Sequence, residues 1–245
     1  MLAAGLQTNG MNGPDLTTSN NERSFSIREF MKMNRLLNLK SNLLLALMTG
    51  LLVAQARAET VRYNAQPKDS IATVAGDSSI HAWTMESGVI GGFMEVDVNF
   101  PESALTNAAA AKPVTSVYVP VRSLKSGKAT MDEKMQNTMS MTNYPKFEYR
   151  LIELKPKSQP GATGPLQFDA IGTLTIVGKT ITNTMPVTIE KKDGKLKIQG
   201  STPIKLTQFS IKPPIIALPL LPDITVYDDL KIDFTWTLAP KAEKK

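Results

Sequence analysis

The residues from 230 to 238 alternate between apolar and polar side chains without interruption. The apolar positions are Leu230, Ile232, Phe234, Trp236 and Leu238. Successive side chains of a β-strand point to opposite faces, so a period of two predicts a strand with one apolar, core-facing side. The same period recurs through much of the chain after residue 59, and the sequence therefore predicts a protein built mainly of β-strands.

The other predicted strands are alternating or β-rich runs that are bounded by turn-forming residues. They cover residues 60–65, 70–75, 81–87, 90–100, 117–121, 147–154, 166–177, 180–190 and 195–206. Asp193-Gly194 joins the last two in a predicted hairpin, because such pairs favour two-residue turns. About eight or nine strands with short connections are typical of an all-β barrel or sandwich, and the length of several strands favours the closed barrel.

One segment has a helical rather than a strand period. Met131, Met135 and Met139 are four residues apart, which places them on one face of a predicted helix from Thr130 to Met141, with Thr130 as the N-cap. These methionines could form an adaptable lid over a barrel mouth or simply plug the core, since thioethers pack against varied shapes. A second short helical turn is predicted over residues 207–211.

The N-terminal residues have the layout of a targeting segment. A basic start at residues 32–40, an apolar stretch from 43 to 53 and small residues ending at Ala58 predict a signal peptide over residues 31–58. Residues 1–30 lack an apolar period and are interpreted as a disordered or over-extended start. The folded domain is then expected to cover residues 59–245. We expect the mature protein in the bacterial periplasm or outside the cell.

Composition excludes several classes of function. The chain has no cysteine and one histidine, His81, which excludes disulfides, thiol catalysis and a multi-histidine metal site within one chain. Six of the 28 basic residues precede residue 59, and no basic run with interleaved aromatics remains after it, so nucleic-acid binding is not expected. No later segment has the roughly 20 apolar residues of a membrane-spanning helix.

Three short stretches are informative in their order and spacing: Gly76 to Thr84, Val119 to Lys128, and Tyr144 to Phe147 followed by Gly172 to Thr180. Taken together, they resemble the YceI-like family of bacterial periplasmic proteins. The resemblance implies a lipocalin-like antiparallel β-barrel of about eight strands with one or two short helices. It also implies an apolar tunnel that binds a polyisoprenoid lipid, of the quinone or prenyl phosphate type, with no enzymatic activity and no other cofactor. Residues 215–222 depart from the family by replacing an expected polar loop with an apolar one.

The predicted ligand-binding residues are those that the periodicity turns inward or places near the mouth. They are His81, Trp83, Phe93, Met135, Met139, Phe147, Phe168, Met185, Phe234 and Trp236. His81 could hydrogen-bond locally, contact the ligand, or act as a catalytic base. Ser78, Ser79 and Asp77 do not form a triad with it, because neighbouring strand residues face opposite sides. Neither a catalytic nor a metal-binding residue is predicted.

Two function classes lead, and a third is weaker. The first is a carrier or store for an isoprenoid lipid, with Lys125, Lys128 and Lys134 either meeting a pyrophosphate or forming a solvated loop. The second is an envelope interaction or stress-response module with a filled barrel, no ligand and residues 215–221 as its contact. The third is a hydrolase centred on Ser79 and His81. The sequence leaves a homodimer open.

Overall fold

The computed structural model describes residues 59–241. The predicted signal peptide, the segment before it and the last four residues lie outside the described residues. Eleven strands and one α-helix follow one another within the described part of the chain. They are β1 (Thr60–Ala65), β2 (Ile71–Ser78), β3 (Trp83–Ser87), β4 (Gly91–Asp97), β5 (Val114–Pro120), α1 (Ala129–Thr138), β6 (Lys146–Pro156), β7 (Leu166–Ile176), β8 (Lys179–Lys192), β9 (Lys195–Lys205), β10 (Ile215–Leu218) and β11 (Leu221–Pro240).

Eight of these strands close into an antiparallel barrel. Their hydrogen-bonded order is β1-β4-β5-β6-β7-β8-β9-β11, and β11 pairs back with β1, for example Ala65 with Leu238. β11 is 20 residues long and also pairs with β2. β3 pairs with β2, and β10 pairs with the start of β11. The predicted lipocalin-like barrel is confirmed.

The hairpin predicted between β8 and β9 is confirmed in its turn as well as in its strands. Asp193 and Gly194 have φ angles of 50° and 72°. Both central residues of a type I′ turn need positive φ, which aspartate and glycine tolerate better than most residues. The turn fixes the register, pairing Ile189 with Ile198 so that both side chains point into the barrel.

The predicted helix exists but begins and ends earlier than the sequence suggested. α1 starts at Ala129, the N-cap position is Lys128, and no side chain caps it. Thr130 is therefore not the N-cap, and that prediction is wrong. The carboxylate of Asp132 organises the preceding turn instead. The second predicted helical turn corresponds to a 3₁₀ turn at Leu206–Phe209.

One end of the barrel is closed and the other is open. The segment between β4 and β5 contains the 3₁₀ turn Glu102–Leu105, and its Phe100 and Ala104 are buried in the same cluster as Leu166 and Leu238. α1 and the β10–β11 hairpin stand at the opposite end, beside Leu206 and Phe209. The larger cavity of the barrel lies at the α1 end.

Candidate functional site: two apolar chambers inside the barrel

The inner chamber is a cavity of about 150 Å³ inside the barrel. Side chains from several strands form its wall, among them Ala170 and Met185 of neighbouring strands and Phe234 and Trp236 of β11. Alternate side chains of a strand point to the same face, and each of these residues lies on the inward face of its strand. The barrel therefore encloses space rather than a solid core, and the wall of that space is hydrocarbon.

Two aromatic rings of this wall lie against glycines of the adjacent strand. Phe234 packs over Gly200, and Tyr149 packs over Gly172. A Cβ at either glycine would overlap the ring, so the missing side chain is what lets each ring lie flat along the wall. The chamber owes its open shape partly to these pairs.

The polar atoms beside the inner chamber are covered or already paired. The Tyr149 Oη and Trp236 Nε1 atoms are buried and have no hydrogen-bond partner within residues 59–241. Burial raises the pKa of the Tyr149 phenol well above its ordinary value, so it stays neutral. Asn183 Nδ2 donates to Thr202 Oγ1 at 3.1 Å. The wall of this chamber therefore exposes almost no polar surface.

The outer chamber is a larger space of about 650 Å³ at the open end. Its wall includes Trp83, the α1 residues Met131 and Met135, and Ile216 and Ile224 of the β10–β11 hairpin. The two chambers meet at side chains that line both of them: Val74, Leu124, Phe147, Ile176 and Ile232. The two chambers therefore lie next to each other and share this ring of apolar side chains; we refer to them together as the tunnel.

A short turn between β5 and α1 holds the helix over the outer chamber. Asp132 Oδ1 accepts hydrogen bonds from the Ser126 backbone N–H at 2.7 Å and from Ser126 Oγ at 2.8 Å. Lys125 Nζ lies 3.6 Å from the other carboxylate oxygen. The Ser126 backbone N–H, followed by the Ser126 hydroxyl, lowers the pKa of Asp132. Lys125 is thus paired, whereas Lys128 and Lys134 border the outer chamber.

His81 lies at the outer chamber but not in a catalytic arrangement. Its Nδ1 donates to the carbonyl oxygen of Ala82 at 2.8 Å. Ser78 Oγ bonds the backbone of His81 rather than the imidazole, donating to its carbonyl oxygen at 2.8 Å. Ser79 Oγ accepts from the Thr225 N–H at 3.1 Å. Neither hydroxyl has the imidazole as a hydrogen-bond partner, so this arrangement does not activate a nucleophile.

Residues 59–241 contain no cluster of three or more acidic or histidine side chains that could hold a metal ion.

Eight of the ten predicted ligand-binding residues border the tunnel. The inner chamber has Phe147, Met185, Phe234 and Trp236, and the outer chamber has His81, Trp83, Met135 and Met139, with Phe147 shared. Whether these residues touch a ligand stays a prediction.

Phe93 and Phe168 do not line either chamber. Phe93 lies on the outer face of the barrel, where the Arg62 guanidinium stacks 3.6 Å from its ring centroid. Met94, its neighbour, takes the inward position, so the inward prediction for Phe93 is wrong by one residue of register. Phe168 does point inward, but only 1% of it is exposed, and it packs within the buried cluster without lining either chamber.

Several residues of the chamber walls were not predicted from the sequence. Tyr149 lies two residues beyond Phe147 on β6, so period two alone would have found it. Asn183 and Thr202 also sit at inward positions of β8 and β9, but polar side chains at such positions give no hydrophobic signal. Ala170 has a small side chain, which leaves space in the barrel only if the side chains around it do not fill that space.

A closed antiparallel barrel with an internal apolar tunnel defines a lipocalin-like protein. The YceI-like domain model matches residues 63–238, nearly all of the described barrel, and the chain belongs to the YceI-like family. No curated protein sequence matches the chain.

Solved structures that share the fold include the following two. The crystal structure of Burkholderia cenocepacia BcnA is 18% identical, with a TM-score of 0.54, covering 71% of this chain and 98% of that one. A polyisoprenoid binding domain from Saccharophagus degradans, implicated in plant cell wall breakdown, is 13% identical, with a TM-score of 0.55 and coverage of 74% and 99%. At these identities the likeness establishes the fold alone. No helix within residues 59–241 is long and apolar enough to cross a membrane.

Proposed function

We propose that this chain is a binding protein that carries or stores a polyisoprenoid lipid, with the hydrocarbon tail in the tunnel. The observation that carries the proposal is the contiguous pair of chambers with an apolar inner end. Membership of the YceI-like family and the fold shared with a polyisoprenoid binding domain support it. The bonding of Ser78 and His81 to backbone atoms supports binding rather than catalysis.

The size of the inner chamber fits the end of a prenyl chain. A dry apolar cavity of about 150 Å³ accommodates benzene, which has six carbons, and an isoprene unit has five. The larger outer chamber then holds further units, and its flexible methionine side chains adapt to their methyl branches.

The tail enters first and the head group stays near the mouth. A polar or charged head in the inner chamber would lose its water and meet a wall that exposes almost no polar surface. Lys128, Lys134 and His81 border the outer chamber and offer donors to a quinone carbonyl or a prenyl phosphate. The protein acts in the bacterial periplasm or outside the cell, after removal of residues 31–58.

The test is to extract lipids from protein purified from its native compartment and identify them by mass spectrometry. A prenyl lipid should be enriched in the extract relative to the total lipids of the same cells. Repeated recovery of an empty barrel that also fails to take up added geranylgeraniol would contradict the proposal.

A second candidate function is an interaction module, and the exposed residues Ile215, Leu220 and Leu221 favour it. The filled barrel that this reading requires does not agree with the inner chamber. Size-exclusion chromatography of the purified chain with its envelope extract, compared with a Leu220→Asn variant, would reveal a protein partner of this surface.

A further inference from the structure

The β10–β11 hairpin ends in an uncharged apolar tip. The ten residues from Pro213 to Pro222 carry neither a charge nor a polar side chain. Leu220 is fully exposed, and Ile215 and Leu221 are 58% and 65% exposed. We call Leu218, Leu220 and Leu221 the hairpin tip. A contiguous exposed apolar surface of this kind marks a site of interaction with another molecule or with lipid.

Folding stability does not explain the residue at the apex of the tip. Leu220 has a φ angle of 66°, in the left-handed region that glycine and asparagine adopt far more easily than leucine. Its side chain is fully exposed, so packing against the described part of the chain does not offset the strain. Strain of this kind at an exposed position indicates a role outside the fold itself.

The base of the hairpin is fixed to the barrel, so the tip projects in a defined direction. The Ser79 N–H donates to the Thr225 carbonyl oxygen at 2.9 Å, and the Thr225 N–H donates to Ser79 Oγ at 3.1 Å. Ile216 and Ile224, which pair across the hairpin, line the outer chamber. Ile216 and Leu218 occupy alternate positions of β10, so one face of the hairpin carries apolar side chains from the outer chamber towards the tip.

The tip does not suit a second copy of the chain. β10 has only four residues, and Pro213-Pro214 and Pro219 flank it, which leaves few free N–H groups for strand addition. A projecting tip of three leucines is also small beside the roughly 800 Å² per partner that a stable interface buries.

We infer that the hairpin tip inserts into the leaflet of a lipid bilayer and sets the tunnel mouth against it. This inference rests on the proposed function, because a prenyl lipid can then pass between membrane and tunnel along Ile216 and Ile224 without crossing water. Binding depends on buried apolar area rather than charge, so salt does not weaken it.

The experiment is flotation of the predicted mature chain, residues 59–245, with neutral phosphatidylcholine vesicles. It is done in low salt and in about 0.5 M salt, where charge interactions are screened within a few ångströms. The test variant is Leu220→Asn with Leu221→Thr, since asparagine tolerates the backbone angle of Leu220. The control is Val114→Thr with Ile152→Thr, which removes two exposed apolar side chains from the barrel wall.

The wild type and the control should float equally at both salt concentrations, and the tip variant should partition at least tenfold more weakly. All three should bind geranylgeraniol equally in vesicle-free buffer. No flotation of the wild type, equal flotation of the tip variant, or a dimer that only the tip variant loses in sedimentation velocity would each overturn the inference. Flotation of the wild type without geranylgeraniol binding would instead refute the proposed function and leave the membrane contact standing.

Discussion

Ala170→Phe should block the inner chamber while leaving the barrel intact. Ala170 is buried on β7, pairs with Met185 of β8, and faces the chamber. The chamber of about 150 Å³ has room for one six-membered ring, which is what the substitution introduces. The ring then occupies the space proposed for the tail end.

The cost to ligand affinity follows from the carbons that the ring displaces. Five carbons at about 0.8 kcal/mol each give about 4 kcal/mol, which corresponds to about a thousandfold loss of affinity. Part of the tail can retreat into the outer chamber, so we expect a loss between about 30-fold and 1,000-fold.

The assay is equilibrium dialysis of delipidated protein against radiolabelled geranylgeraniol. Ile171→Phe is the matched control, because Ile171 is the next residue on β7 and lies on the outer face, away from both chambers. Circular dichroism melting should show both variants folded. If the phenylalanine ring disrupts packing, the smaller substitution Ala170→Leu replaces it as the test variant. Wild-type affinity in a folded Ala170→Phe protein would refute the placement of the tail.

Three further predictions concern the fold that shapes the tunnel. Tyr149→Phe should raise the free energy of unfolding in urea by about 1 kcal/mol, because it removes a buried hydroxyl that has no partner; a lower stability would mean that the hydroxyl is bonded. Asp132→Asn should destabilise the protein at pH 7 by about 1 kcal/mol. The pKa of Asp132 is lowered in the folded state, so the ionised carboxylate stabilises the fold above its unfolded pKa and this contribution is lost as the pH falls through the folded value. Melts at decreasing pH should show the difference between wild type and variant shrinking below about pH 4, and a constant difference would contradict this assignment. Gly92→Ala should cost more than about 3 kcal/mol, since Gly92 has a φ of 123° and a Cβ would overlap the Ser116 carbonyl oxygen, whereas Gly88→Ala meets no atom and should melt like the wild type.

Period-two alternation predicted the barrel because nearly every strand buries one face. It failed for Phe93 because Phe93 and Met94 are adjacent large apolar residues, and the choice between them depends on Arg62, which is distant in sequence and covers the Phe93 ring. The helix start was misplaced for a similar reason, since the bonds of Asp132 to Ser126 settle the turn before α1.

The β10–β11 hairpin was missed because residues 215–222 were interpreted as an apolar loop. β10 is an edge strand, where proline is tolerated, and it pairs with residues that carry no clear alternation. The tunnel could not be predicted from any one strand. Its volume depends on how alanine and glycine positions such as Ala170 and Gly200 meet large side chains across the whole barrel.

The most direct test is a crystal structure of the protein soaked with a geranylgeranyl chain that carries bromine on its terminal carbon. The account predicts an anomalous bromine peak in the inner chamber, beside Met185 and Trp236, with the head group at the open end near α1. A bromine peak confined to the outer chamber or the protein surface would contradict a tail-first ligand in the barrel.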